Sequence, residues 1–160
     1  AFLRNFIFGV EDSLVSTVGL LSGIAVADVD RSVIIVTGVV LIFVEAFSMS
    51  VGSYLSEHSA ETYIKSQGEE HSEHSLGAAV IMFFSYFVSG FIPLLPYAIK
   101  AIPLATAFWA SIALSIISLF VLGVIGARMT KENPWKSALR MGIVGGIAIA
   151  LGVAVGQLIG

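Results

Sequence analysis

The apolar positions of this chain gather into five long blocks, roughly Phe6–Ala27, Ser32–Ser56, Leu76–Ile99, Ile102–Ala127 and Ser137–Ile159. Each is near or above the ~20 residues an α-helix needs to cross a bilayer. The polar connectors Asp28–Arg31 and Lys100–Ala101 are very short, which predicts tight antiparallel hairpins. Arg128–Lys136, carrying Asn133-Pro134, predicts another short turn. Only Glu57–Ser75 is a substantial hydrophilic segment. Pro93 and Pro96 are expected to kink or break the third helix, and Pro103 to open the fourth. The pattern predicts an all-α, polytopic membrane protein with five transmembrane helices in a single domain, residues 1–160.

Composition agrees. The chain is 57% hydrophobic and 12% charged, with a mean hydropathy of +0.97, whereas soluble domains carry about 25% charge. A net charge of −3 without a basic cluster argues against nucleic acid as a partner. There are no cysteines, hence no disulfides and no thiolate ligands. The first apolar block is too long for a cleavable signal and is followed by further spans. Because the sequence begins at Ala1 rather than Met, a few leading residues are expected to precede it.

Lys and Arg set the expected orientation. Arg4, Lys65, Arg128, Lys131, Lys136 and Arg140 fall on one side and only Arg31 and Lys100 on the other. The positive-inside rule then puts the N-terminus and Glu57–Ser75 in the cytoplasm and the C-terminus outside.

Within these spans a few polar residues carry candidate chemistry. Glu45 and Met49 lie four residues apart, so they share a helical face, and Gly52 continues it. A hard carboxylate and a soft thioether one turn apart suit a borderline transition cation. Alone, Met49 reads equally as ordinary helix packing. Glu45 does not, because a carboxylate near mid-bilayer costs roughly 2.5–3.5 kcal/mol and is expected to face an interior or a pathway. Glu11 and Asp12 enter with the first helix; Glu11 reads as well as an interfacial acid near the positive helix end. Counting inward from Phe6 and Ser56 puts Asp12 about 9 Å, Met49 about 10 Å and Glu45 about 16 Å deep, so Asp12 and Met49 are expected to be level.

Outside the spans, Glu57-His58-Ser59, Glu70-His71-Ser72 and Glu73-His74-Ser75 repeat one tripeptide, with Glu61 and Glu69 nearby. Carboxylates and imidazoles together suit Fe(II), Mn(II) or Zn(II). The competing reading is a solvated acidic turn. Small-residue stripes, Ser16/Gly19/Gly23, Gly142/Gly146 and Gly152/Gly156/Gly160, predict close helix packing without naming a partner. No Walker-type loop, HExxH, Glu-x-x-His, intramembrane His or paired intramembrane Asp is present. Enzymatic readings therefore lose their chemistry.

Several stretches resemble the vacuolar iron transporter family. GVEDSLVSTVGLLSGIA resembles its first helix, with Asp12 at the family Asp and Ser13 in place of a Gly. EAFSMSVGSYLSEHS is similar to its second-helix element through Ser48, Met49, Gly52 and Tyr54. GFIPLLPY (Gly90 to Tyr97) resembles the end of its third helix, and GIVGGIAIALGVAVGQLIG its last. The resemblance implies a homodimer with its pathway at the subunit interface, exporting Fe(II) and Mn(II) from the cytoplasm in exchange for protons. By the family pattern Asp12 and Met49 would be pathway ligands, and Glu45, Glu11 and Ser48 complete the candidate pathway set. Glu45 would replace a family carboxylate that falls about a turn earlier, where this chain has Leu41. Family members often insert a Glu-rich metal-binding domain between helices two and three; this chain resembles a short form lacking most of it. Metal gathering would then rest on Glu57, His58, Glu61, Glu69, Glu70, His71, Glu73 and His74. No resident cofactor is expected, only a transported or bound Fe(II), Mn(II) or Zn(II). The expected location is the bilayer of a cell or of a vacuole-like organelle. Two other readings stay open: a membrane metal-binding or sensor subunit without transport, and a passive channel.

Overall fold

A computed structural model describes residues 2–160. The five apolar blocks form five α-helices: α1 (Phe2–Val26), α2 (Arg31–Ser66), α3 (Ser75–Ala98), α4 (Leu104–Thr130) and α5 (Pro134–Ile159). All five are long and apolar enough to cross a membrane, so the chain is a multi-pass, all-helical membrane protein. At 1.5 Å per residue α2 is about 54 Å long, against a hydrocarbon core of about 30 Å. It is therefore longer than one crossing needs, and its last turns, from Glu57 onward, are mostly exposed.

Helix α1 is the axis of the bundle. It packs closely on α3 and α5, and its thinnest interface is with α2. The α1–α5 contact is made backbone to backbone. A Cβ on Gly152 would run into the Gly19 carbonyl, and one on Gly156 into the Gly23 carbonyl. A Cβ on Gly23 would lie 2.5 Å from the Gly152 oxygen. Only glycine allows this approach, the usual reason for small-residue stripes in lipid. Gly142 instead lies against the Phe120 ring, and Gly146 faces open space.

Helix α2 buries one stripe at four-residue spacing, Ile34, Gly38, Ile42 and Ala46, against its neighbours. Leu21, Ile34, Ile42, Leu94, Tyr97 and Ala107 form the apolar core in the half of the bundle away from the N-terminus. Arg31 closes that end: its guanidinium donates to the carbonyls of Tyr97 (3.3 Å), Ile99 (2.6 Å) and Ile102 (2.5 Å), binding α2 to the α3–α4 turn.

Of the kink or break expected at its prolines, α3 shows no break. It runs through Pro93 and Pro96 to Ala98, close to the expected Ile99. The carbonyls that Pro93 and Pro96 leave without an intrahelical donor are those of Ser89 and Ile92, and close by the Ser111 hydroxyl of α4 donates to the Pro93 carbonyl at 2.6 Å. At the α4–α5 turn Lys131 takes a left-handed conformation (φ 59°), and the Asn133 side chain caps α5 by accepting the Trp135 N–H at 3.0 Å.

Candidate metal pathway

Contacts between α1 and α2 set an antiparallel ladder. Arg4 pairs with Glu57 at the N-terminal end. One rung inward the Ser53 hydroxyl donates to the Asn5 side-chain oxygen at 2.8 Å. Next, Phe8 and Met49 line the same chamber. Further in, Asp12 and Glu45 lie within electrostatic range of each other. This register differs from the depths counted inward from the span ends: Asp12 is level with Glu45, and Met49 sits a turn nearer the N-terminal end. Phe6 and Ser56 are not level, because the polar contacts of Arg4 and Asn5 slide α2 by about one turn.

Between α1, α2 and α3 this end of the bundle opens into a chamber of about 550 Å³. Its wall includes Asn5, Ser48, Met49, Ser53, Glu57 and Met82. Asp12 and Glu45 are half-buried, and neither forms an ion pair with a Lys or Arg among the described residues. Ser16, one turn on from Asp12, lies within reach of its carboxylate. Glu11, on a different face of α1, lies in range of Arg140 on α5. Ser48 is exposed on α2.

Two residues that sequence reasoning passed over adjoin this line of groups. Tyr86 of α3 is fully buried, and among the described residues its hydroxyl has no partner at full hydrogen-bond geometry, with the Ser16 side chain the nearest candidate. It stands in the neighbourhood of Ser16, Asp12 and Glu45, and Ser13 holds the Tyr86 carbonyl at 2.6 Å. Met82, one turn before it, is buried beside Gly9. In a helix as apolar as α3 neither residue breaks the pattern, so no sequence signal marks them.

The Glu/His residues are spread out. Glu57 is engaged by Arg4. Glu61 is buried and accepts the His74 N–H at 2.5 Å, placing a carboxylate at the N-terminus of α3. Glu73 is bound by Lys65, whose ammonium holds its carboxyl below the ordinary value. His58 stacks on Tyr54, and His74 meets the Phe2 and His71 rings edge-on. Glu69, Glu70 and His71 are exposed around a separate hollow with Lys65. Among the described residues no three His, Asp or Glu side chains converge on one point.

Comparison with known proteins places the chain in a family. The chain is 25% identical over 216 residues to vacuolar iron transporter 1 of Tulipa gesneriana, covering 98% of this chain and 87% of that protein. It is 28% identical over 168 residues to vacuolar iron transporter homolog 4 of Arabidopsis thaliana, covering 99% and 84%. The first alignment is longer than this chain's 160 residues, so that relative carries residues this chain lacks. A family model described as the VIT family matches residues 3–75 and 66–157, its two parts meeting in the polar connector. Matched along nearly its whole length, the chain belongs to the VIT family.

Proposed function

We propose that this protein carries Fe(II), and Mn(II) as well, out of the cytoplasm across a cell or vacuole-type membrane, in exchange for protons. The observation that carries this reading is the Asp12–Glu45 rung, two half-buried carboxylates level with each other on adjoining helices, with no ion-pairing base among the described residues. Carboxylates in that setting bind a divalent cation or take up protons, and so can exchange one for the other. The relatives named as vacuolar iron transporters supply the choice of metal. Basic residues concentrated at the N-terminal end of the bundle favour that end as cytoplasmic, so the chamber opens to the cytoplasm while the core around Ile42 and Leu94 closes the far side.

In this reading the exposed acids and imidazoles, Glu69, Glu70, His71 and His58, raise the local cation concentration. Met49 and then Asp12 and Glu45 replace the hydration shell in steps. The sparsely covered α5, which buries only Ser137, Ala138 and Gly145, favours a second copy of the chain beside it as a homodimer.

Proteoliposomes with an acidic lumen test the function. The intact protein is expected to take up Fe(II) and Mn(II), and Asp12→Asn to abolish uptake while the polar segment still binds metal. Uptake that ignores the pH gradient would remove the proton step and leave a channel. Metal bound without flux in either protein would favour a sensor or binding subunit.

A further inference from the structure

Two independent sets of contacts bring Met82 to the level of Met49. The antiparallel α2–α3 pair is registered by Ser50 donating to the Ala79 carbonyl at 2.9 Å, and by Ile42 and Leu94 filling the spaces beside Gly90 and Gly38. On that register Met49 stands level with Met82. Through α1, the Met82 sulfur lies 3.2 Å from where a Cβ on Gly9 would be, and Gly9 adjoins Phe8, which shares the chamber wall with Met49. Both methionines line that same chamber, Met82 from α3 and Met49 from α2.

We propose that Met82 is a second thioether donor of the chamber, acting with Met49 to bias the path toward softer cations. The proposal rests on the transport reading above and deepens it, because it concerns selectivity at the step before the carboxylate rung. A methionine 3% exposed is often a gap filler. This one differs because its sulfur lies beside Gly9 and its side chain forms part of the wall of the open chamber it shares with Met49. One thioether is a weak ligand, and two on facing helices select by softness. Carboxylates alone suit Mn(II), whereas sulfur favours metals later in the first-row series. Asp12 and Glu45 would then bind either metal, and the methionine pair would rank them.

The protein has four methionines, Met49, Met82, Met129 and Met141, so methyl-labelled methionine gives four reporters. Titrating the intact protein with Fe(II) is expected to broaden the Met49 and Met82 methyl resonances together, with Met129 and Met141 unchanged. In liposomes, Met82→Leu, close to Met in volume, is expected to cut Fe(II) uptake by about tenfold, the scale at which loss of a group around a metal is felt. Mn(II) uptake should change far less. A Met82 signal that stays sharp while Met49 broadens would overturn the proposal. So would an unchanged Fe(II):Mn(II) ratio in Met82→Leu. If the intact protein shows no flux, the transport reading fails, and weaker Fe(II) binding by Met82→Leu with unchanged Mn(II) binding still decides whether Met82 meets the metal.

Discussion

Glu61 shows how one acidic residue in a metal-coloured segment can be occupied elsewhere. Its carboxylate is buried and accepts the N–H of His74, which leads into α3. An anion at a helix N-terminus satisfies donors that have no intrahelical partner. Glu61→Ala is therefore expected to destabilise the protein by about 1–2 kcal/mol, the range for losing a cap with a buried donor. Glu61→Gln, which keeps an acceptor, should cost less. Thermal unfolding in detergent checks both. If Glu61→Gln instead left stability intact and weakened metal binding, a ligand role would outweigh the cap. No sequence pattern announces this contact, because it exists only once residues 67–74 fold back on α2. Asp12 and Glu45, by contrast, are visible in the sequence for an energetic reason: a carboxylate inside a span is expensive and rare. Met82 and Tyr86 cost a span little, so nothing in the chain singles them out.

At the scale of elements, the five helices were legible because block length and bilayer thickness constrain each other. Two details were not. The α1–α2 register depends on Arg4 and Asn5 reaching particular partners, and a count from the span ends cannot see that. The continuity of α3 through Pro93 and Pro96 is the other, because a proline in a span reads equally as a kink or a break. The glycine stripes were legible as stripes, but only the structure distinguishes the Gly19/Gly23–Gly152/Gly156 contact from the exposed Gly146. Gly152→Leu is expected to force α1 and α5 apart and to cost about 1–3 kcal/mol or more, as overpacking does. Gly146→Leu, whose side chain meets nothing within one protomer, should cost less. Melting temperatures of the two variants in the same detergent would separate them; equal losses would contradict the backbone contact.

For the whole molecule, the absence of native cysteine makes orientation directly measurable. Ser72→Cys and Lys100→Cys mark the two ends of the bundle. With a membrane-impermeant maleimide added to intact cells carrying the protein in the plasma membrane, Lys100→Cys is expected to react. Ser72→Cys should react only after permeabilisation. The opposite pattern would invert the direction of export.

The uneven packing of α1 has a mechanical consequence. Its glycine-bearing face is joined to α5 by main-chain contacts that leave no slack, whereas its seam with α2 is the thinnest it has. The candidate ligands of α1 and α2 lie along that seam. A cycle that exposes the carboxylates first to one side and then to the other costs least if α2 swings on a fixed α1–α5 post. The ion would then travel along the joint of the machine, and the motion that releases it would be the one that pulls its ligands apart.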